Sequence, residues 1–556
     1  MGCLLCGVPG GPDASGHDLL TPAVNSPAEI EVWSSGESRI LPVLNPEQSL
    51  ASLLADAGFA LNTRCGQRGL CHGCEVELQT NPPQIVRACC QRPPETGRLI
   101  LTIPARSLLS HAPAIVSDFR TRVPAGNDPI FKNGPPLGLA VDLGTTTVAV
   151  LLAELATGKV LARATALNAQ VGRGDNVLTR IHLCQSEKKN IRRLQNDFWQ
   201  LTFQPLLKEV LTASGQSLEA VAGVVVAGNT TMLHLACGED PTPLGRVPFT
   251  PAFLERRDFP EGFPGIPRPV IFLPGLSAYV GADISAGAVC CGLPYASRPQ
   301  LLVDVGTNGE ILLQAGETMR ACATAAGPAF EGCGLLCGMR AASGVISRIR
   351  LSNDPYAVTC TVLGGQGSPP HGITGSAYVD FLAEGRDVGL LTEHGRFERS
   401  FVKDHPENFR QEENGLCFLL DPQVPDLRIG EVDIALLLQA KAAIAAGIET
   451  LLALANVEAG DIETLHLAGG FGLHLSIPHA TRCGLLPGFR EEQISPVGNT
   501  SLGGAYLAML DQSLAEEMDR LKAGIIELNL DPGFEDRYLD HLALPAHAMC
   551  AASLKF

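Results

Sequence analysis

A multidomain α/β chain is predicted by three features of the sequence. These are a cysteine- and glycine-rich loop between short alternating strands, a strand–turn–strand motif with Asp and Gly that occurs twice, and a long Ala/Leu-rich helical stretch behind the second copy. At 556 residues the chain exceeds one ordinary domain, and about two to four are expected. Hydrophobic residues make up 45% and charged residues 18%, enough to bury sizeable cores. Asp and Glu outnumber Lys and Arg by 58 to 41, a formal net charge of -17. Such acidity argues against nucleic acid as the main partner, because a phosphate backbone rewards positive charge. It suits simple solubility or docking to a basic patch on another protein. No run of about 18 apolar residues occurs, so no membrane span is expected. Met1 to Cys6 lacks the basic start of a secretory signal and the Ser or Thr of a myristoylation motif. The expected location is cytoplasmic.

The first element is the cysteine loop. Cys65, Cys71 and Cys74 follow C-x5-C-x2-C spacing, and Cys89-Cys90 comes after a further gap of 14 or 15 residues. Two irons bridged by two sulfides need four converging thiolates, as a [2Fe-2S] cluster does. A loop curled around such a cluster needs backbone conformations that glycine adopts cheaply, and Gly66, Gly69 and Gly73 stand between the ligands. Zinc is the chemical alternative, although zinc ribbons pair two C-x2-C knuckles and here one exists. Cys90 is the preferred fourth ligand, with Cys89 an alternative. The flanks alternate: 29–33 and 39–44 as a strand pair, 47–58 as a helix with Leu50, Leu53 and Leu54 on one face, then strands at 74–78 and 98–103. This order predicts a β-grasp ferredoxin-type domain over residues 28–106.

Residues 107–136 contain Pro113, Pro124, Pro129, Pro135 and Pro136 with interspersed glycines, and are read as a linker or tether. Most remaining cysteines, such as Cys237, Cys360 and Cys483, are expected to be small buried hydrophobes. The Cys333-x3-Cys337 pair is read as structural thiols.

From Gly138 the pattern changes. Val141-Asp142-Leu143-Gly144-Thr145-Thr146 is a strand ending in a tight loop, and it returns as Val303-Asp304-Val305-Gly306-Thr307-Asn308. Each copy is followed later by an apolar Ala-Gly element, at Ala227-Gly228-Asn229 and at Ala468-Gly469-Gly470. A duplication of this kind is informative where a single Asp-Gly turn is not. Glycine in the turn lets backbone amides approach phosphate oxygens, and Thr hydroxyls add donors. Gly144, Thr145, Thr146, Gly306, Thr307 and Asn308 are therefore the expected phosphate contacts. Asp142 and Asp304 are the candidate catalytic carboxylates, holding Mg²⁺ through water. Gly469 and Gly470 offer a surface without side chains for the adenine of ATP. The predicted halves are 137–300 and 301–556, with a sheet-packed helix over 432–455.

Taken in order, the cysteine loop with Ala88-Cys89-Cys90-Gln91, the two Asp-x-Gly-Thr turns, the stretch Ala323 to Gly332 (Ala-Thr-Ala-Ala-Gly-Pro-Ala-Phe-Glu-Gly) and Leu467-Ala-Gly-Gly-Phe-Gly472 resemble the reductive activators of corrinoid proteins. These include the activating enzymes of O-demethylase systems, and the likeness runs from about residue 28 to the C-terminal tail. The resemblance implies a ferredoxin domain fused to a duplicated actin-like (ribonuclease H-like) ATPase. It also implies ATP-driven transfer of one electron from [2Fe-2S] to Co(II) of a corrinoid methyl carrier, giving Co(I). A reductase, ferredoxin or flavodoxin donor and a homodimer are implied as well. The family pattern further includes a small domain between the ferredoxin and ATPase parts, where this chain offers only the linker. Three other readings stay open. One is a small-molecule kinase with an accessory cluster, one an Hsp70-like ATPase, and one an electron-transfer subunit for another acceptor. No catalytic Asp for a substrate hydroxyl declares itself, and no peptide-binding β-domain follows the ATPase region.

Overall fold

The computed structural model describes residues 28–546 apart from 35–36, 60, 62, 64–66, 68, 70–72, 105–106, 109–116, 125, 127, 133, 175, 307, 333, 365–369 and 413. Its first unit is a five-stranded mixed sheet of β1 (Glu29–Ser34), β2 (Glu37–Pro42), β3 (Glu75–Leu78), β4 (Gln84–Arg87) and β5 (Arg98–Thr102), ordered β2-β1-β5-β3-β4. Strands β1 and β5 run parallel at the centre. Alternation decides the faces: Ile30 and Val32 point into the core while Trp33 points out. The helix Leu50–Asp56 begins at Ser49, whose side chain accepts from the Ser52 amide at 3.1 Å, and buries Leu50, Ala51, Leu53 and Leu54. It is shorter than the periodicity predicts because that cap sets its start. Strand β4 is an addition to the predicted elements.

The second unit has the sheet β10-β11-β9-β6-β7-β8, built from β6 (Leu137–Leu143), β7 (Thr147–Glu154), β8 (Val160–Leu167), β9 (Val221–Gly228), β10 (Arg257–Phe259) and β11 (Val270–Phe272). The third contains β12 (Gln300–Val305), β13 (Gly309–Ala315) and β14 (Thr318–Thr324). After two small sheets, β15–β17 (345–373) and β18–β20 (409–430), it adds β21 (Thr464–Ala468), β22 (Ile494–Gly498) and β23 (Gly524–Ile525). The two large sheets repeat one plan. A three-strand antiparallel meander leads each, and a parallel strand returns beside the first: β9 beside β6, and β21 beside β12. Strand β9, Val-Ala-Gly-Val-Val-Val-Ala-Gly, is buried throughout, as a parallel strand covered on both faces requires.

The halves interlock. Helix Thr500–Leu510, late in the sequence, packs against helix Ala282–Cys291 and contributes Leu502, Ala505 and Met509 to the core of the first large sheet. The division at residue 300 follows the duplication of the sequence, while in space the chain returns to its first core. Helix Glu431–Ala455 is long and apolar enough to cross a membrane by length and composition, yet 78% of that window is buried inside the protein.

The linker reading needs correction over its second part. From Asp118 the chain is laid against the large sheets: the Arg120 amide donates to Val497 O at 3.0 Å, Arg122 to Cys290 O at 2.9 Å and Ile130 to Met509 O at 3.1 Å. Its prolines exclude a helix or a central strand but leave amides between them free to pair. Among the other cysteines, Cys483 and Cys337 are buried whereas Cys237 and Cys360 are half-buried; Cys333 lies outside the described residues.

Candidate functional site

A cavity of about 450 Å³ opens between the two large sheets, and both Asp-x-Gly-Thr turns line it. Asp142, Gly144, Thr145, Thr146, Asp304, Gly306, Asn308, Gly469 and Gly470 all face this one space. Thr307 lies outside the described residues. Four residues that the motif reading did not place in the site also line it: Asp283, Glu310, Asn499 and Ser501. Glu310 lies on β13 just after the second turn, and Asn499 and Ser501 flank the start of helix Thr500–Leu510. Asp283 had no signal beyond its place after a glycine, at the start of helix Ala282–Cys291.

The first turn is heavily braced. Asp142 ends β6, and its carboxylate accepts from Asn499 Nδ2 at 2.8 Å and from Ser501 Oγ at 2.7 Å. Thr145 Oγ1 accepts from Asn229 Nδ2 at 2.7 Å, and the Thr145 carbonyl accepts from the buried Arg180 guanidinium. Asn168 Nδ2 donates to Gly144 O at 2.9 Å. A side chain at Gly144 would place its Cβ 2.5 Å from Thr147 O, so the turn closes only with glycine. On the other side Gly469 has φ +89°, and a Cβ there would meet Val305 O at 2.7 Å and Asp304 Oδ1 at 2.8 Å. The next residue but one, Phe471, stacks on Phe330 with ring centroids 5.0 Å apart.

Five carboxyl groups line the cavity, Asp142, Asp283, Asp304, Glu310 and Glu331, and the acidities of the first four respond. Burial, followed by the neighbouring carboxylates, pushes Asp283 and Asp304 up to about 7. Glu310 is raised well above the carboxylate range by burial and by Asp283 and Asp304. Asp142 is raised by burial, an effect opposed by the donors Ser501 and Asn499. The two arginines of the lining are engaged with other carboxylates: Arg340 with Glu331 at 3.3 Å and Arg348 with Asp380 at 3.3 Å. Mutually repelling buried acids of this kind fit a bound cation. No group of three or more His, Cys, Asp or Glu among the described residues is arranged to hold a metal directly.

The cysteine loop is described in part. Cys65 and Cys71 lie outside the described residues. Cys74 is buried at the start of β3, and Cys89 and Cys90 form a short turn after β4 with their sulfurs 3.7 Å apart. Burial, with contact to Cys74, pushes the Cys89 thiol up. The loop is cradled closely: Gly69 has φ +69°, and a Cβ there would lie 2.5 Å from Cys90 Sγ. Arg87 Nη1 donates to Gly69 O at 2.6 Å and ties the loop to the strand that carries the cysteine pair. Thiols gathered around a glycine backbone fit an iron–sulfur group.

Comparisons with known proteins accord with this pairing of sites. A family model described as the C-terminal domain of RACo, the ASKHA domain, matches residues 298–555, and one described as the RACo middle region matches 137–295. The corrinoid activation enzyme RamQ of Eubacterium limosum is 31% identical over 426 residues, covering 73% of this chain and 70% of that protein. The chain belongs to the RACo family of reductive activators. A solved structure of this family, "Reductive activator for corrinoid,iron-sulfur protein", superposes with a TM-score of 0.66 at 29% identity, covering 93% of this chain and 98% of that one. The [Co(II) methylated amine-specific corrinoid protein] reductase of Methanosarcina barkeri is 27% identical over 267 residues, 45% of this chain and 46% of that protein. The family's middle region thus aligns with the segment carrying the first Asp-x-Gly-Thr turn. No domain-sized part of the solved RACo-family structure lacks a counterpart here.

Proposed function

We propose that this chain is an ATP-dependent reductive activator of a corrinoid methyl-carrier protein, returning oxidised Co(II) to Co(I) by one electron. The observation that carries the reading is the likeness, over most of the chain, to proteins named as corrinoid activators and reductases. It is supported by a cysteine loop and a two-sided acidic cavity in the same molecule.

A [2Fe-2S] cluster held by Cys65, Cys71, Cys74 and Cys90 supplies one-electron chemistry near about -400 mV. Mg-ATP in the cavity supplies the free energy that makes an uphill reduction possible. The residues do the rest. Gly144 and Gly306 expose backbone amides to phosphate, while Thr145, Thr146, Thr307 and Asn308 add donors. Asn499 and Ser501 orient the Asp142 carboxyl group, and Asp304 with Asp283 offers acidic groups where a hydrated cation would be neutralised. Closure of both turns on one nucleotide favours one arrangement of the halves. Such a preference drives transfer only if the corrinoid protein binds the two arrangements differently. An electron-donating reductase, ferredoxin or flavodoxin reloads the protein between turnovers.

The test is anaerobic absorption spectroscopy of the protein with a Co(II)-corrinoid protein, reductant and Mg-ATP. Growth of the Co(I) band that depends on ATP is expected. A reducible iron–sulfur spectrum with no cobalt response across several corrinoid carriers would overturn the activator reading and leave electron transfer to another acceptor.

A further inference from the structure

The segment leading out of the ferredoxin-type unit does not simply pass the nucleotide cavity; it is built into the turn that orients Asp142. Asp118 O accepts from the Asn499 amide at 2.9 Å, and the Arg120 amide donates to Val497 O at 3.0 Å, so residues 118–120 pair antiparallel with the end of β22. Asn499 is also the residue whose side chain holds Asp142 Oδ2, and Ser501 two residues on holds Oδ1. Gly498 between these contacts has φ +76°, and a Cβ on it would run into the Asp118 carbonyl oxygen. The fit leaves no slack.

The same segment reaches other elements of the cavity. Asp118 forms an ion pair with Arg163 on β8 of the first large sheet. Phe119 lies under the Arg163 guanidinium at 5.2 Å and beside Tyr506 at 5.6 Å, on helix Thr500–Leu510. The Arg122 amide caps Cys290 O, at the end of the helix whose first turn carries Asp283, and Arg122 Nη2 donates to Ser495 Oγ on β22 at 3.2 Å. Within five residues the chain therefore touches β8, β22 and both helices that join the halves. A ligand that draws the two Asp-x-Gly-Thr turns together moves the sheet that carries β22 relative to the sheet that carries β8. Residues 118–122 are attached to both.

We propose that residues 118–122 form a strap that positions the Asn499–Ser501 clamp on Asp142 and tightens when the cavity is occupied. This rests on the reading of the cavity as a nucleotide site.

Hydrogen–deuterium exchange on the full cluster-loaded chain, with and without Mg²⁺ and a non-hydrolysable ATP analogue, tests it. Binding of the analogue is measured separately by calorimetry. The amides of Arg120 and Arg122 should slow by roughly tenfold on binding, while that of Ile130, held by Met509 farther along, should change by less than about twofold. In the Phe119→Ala variant the analogue should still bind within about threefold, yet the slowing at Arg120 and Arg122 should disappear. Binding without any change at these amides, or equal slowing at Ile130, would overturn the strap and leave the nucleotide site standing. Calorimetry that detects no binding would overturn the nucleotide reading and the strap with it.

Discussion

The two turns Val141-Asp-Leu-Gly-Thr145 and Val303-Asp-Val-Gly-Thr307 are near copies in sequence and differ in how their surroundings treat the carboxylate. Asp142 has a donor on each oxygen, Asn499 and Ser501, and its turn is pinned by Asn168, Asn229 and Arg180. Among the described residues no side chain donates to Asp304, which stands instead beside Asp283 and Glu310. The glycines differ likewise. Gly144 is hemmed in at 2.5 Å by Thr147 O, whereas the nearest atom to a Cβ on Gly306 is 3.7 Å away. Duplication copied the motif, and tertiary packing then braced the carboxylate of one copy with donors and set that of the other among acids. The difference shows why a motif names candidates but not their roles.

The sharpest way to break this comparison is to remove the less supported carboxylate. Asp304→Ala should lower Mg-ATP turnover by roughly 100- to 1000-fold, the scale of a lost electrostatic contact at a reacting phosphate. The iron–sulfur absorption should stay unchanged, and its collapse would show that the two sites are not independent. Next in size is the glycine pair. Gly144→Ala should destabilise the protein by about 1–3 kcal/mol through the forced contact, while Gly306→Ala should stay within about 0.5 kcal/mol. Denaturant unfolding of both variants measures the contrast, and equal losses would erase the asymmetry.

Ser501→Ala removes one donor from a buried carboxylate. Mg-nucleotide affinity should fall roughly tenfold, in line with about 1–2 kcal/mol for a lost hydrogen bond to a charged group, with calorimetry as the readout. An unchanged affinity would mean that Asn499 alone suffices.

A further contrast is the pH dependence of stability. Asp283 and Asp304 rise from an ordinary 3.8 to about 7 in the folded protein. Between those values the folded state holds more protons than the unfolded chain, so stability falls as pH rises from about 4 to about 7. Without Mg²⁺ the Tm should fall steadily across this window. Saturating Mg-nucleotide should recover most of the loss at pH 7.5 and little at pH 5. A Tm that rises through the window would contradict the crowding of these acids.

How far the sequence reached depends on the range of the interactions involved. Alternation placed Ile30 and Val32 inside β1 and found four of the five strands of the first unit, because side-chain direction in a strand is local. The Asp-x-Gly-Thr turns were legible for the same reason: a tight turn of this kind has its glycine within a few residues of its carboxylate. Asp283 was not legible, since nothing near it distinguishes it from a helix-start Asp, and only the fold brings it beside Asp304. The tether reading of residues 107–136 failed from Asp118 onward because proline content reports what a segment cannot form by itself. It does not report the edge of β22 that the segment finds.

The sequence by itself determined the order of the units, the duplication, the cysteine spacing and nine of the residues that line the cavity. Each is encoded by composition and spacing over a few tens of residues. Tertiary structure alone decided that Asn499 and Ser501, more than 350 positions from Asp142, clamp its carboxylate. It also decided that five acids line one space and that the strap at 118–122 backs the clamp. These contacts join residues that no local pattern links, and their energies come from burial and approach, which exist only once the halves have packed.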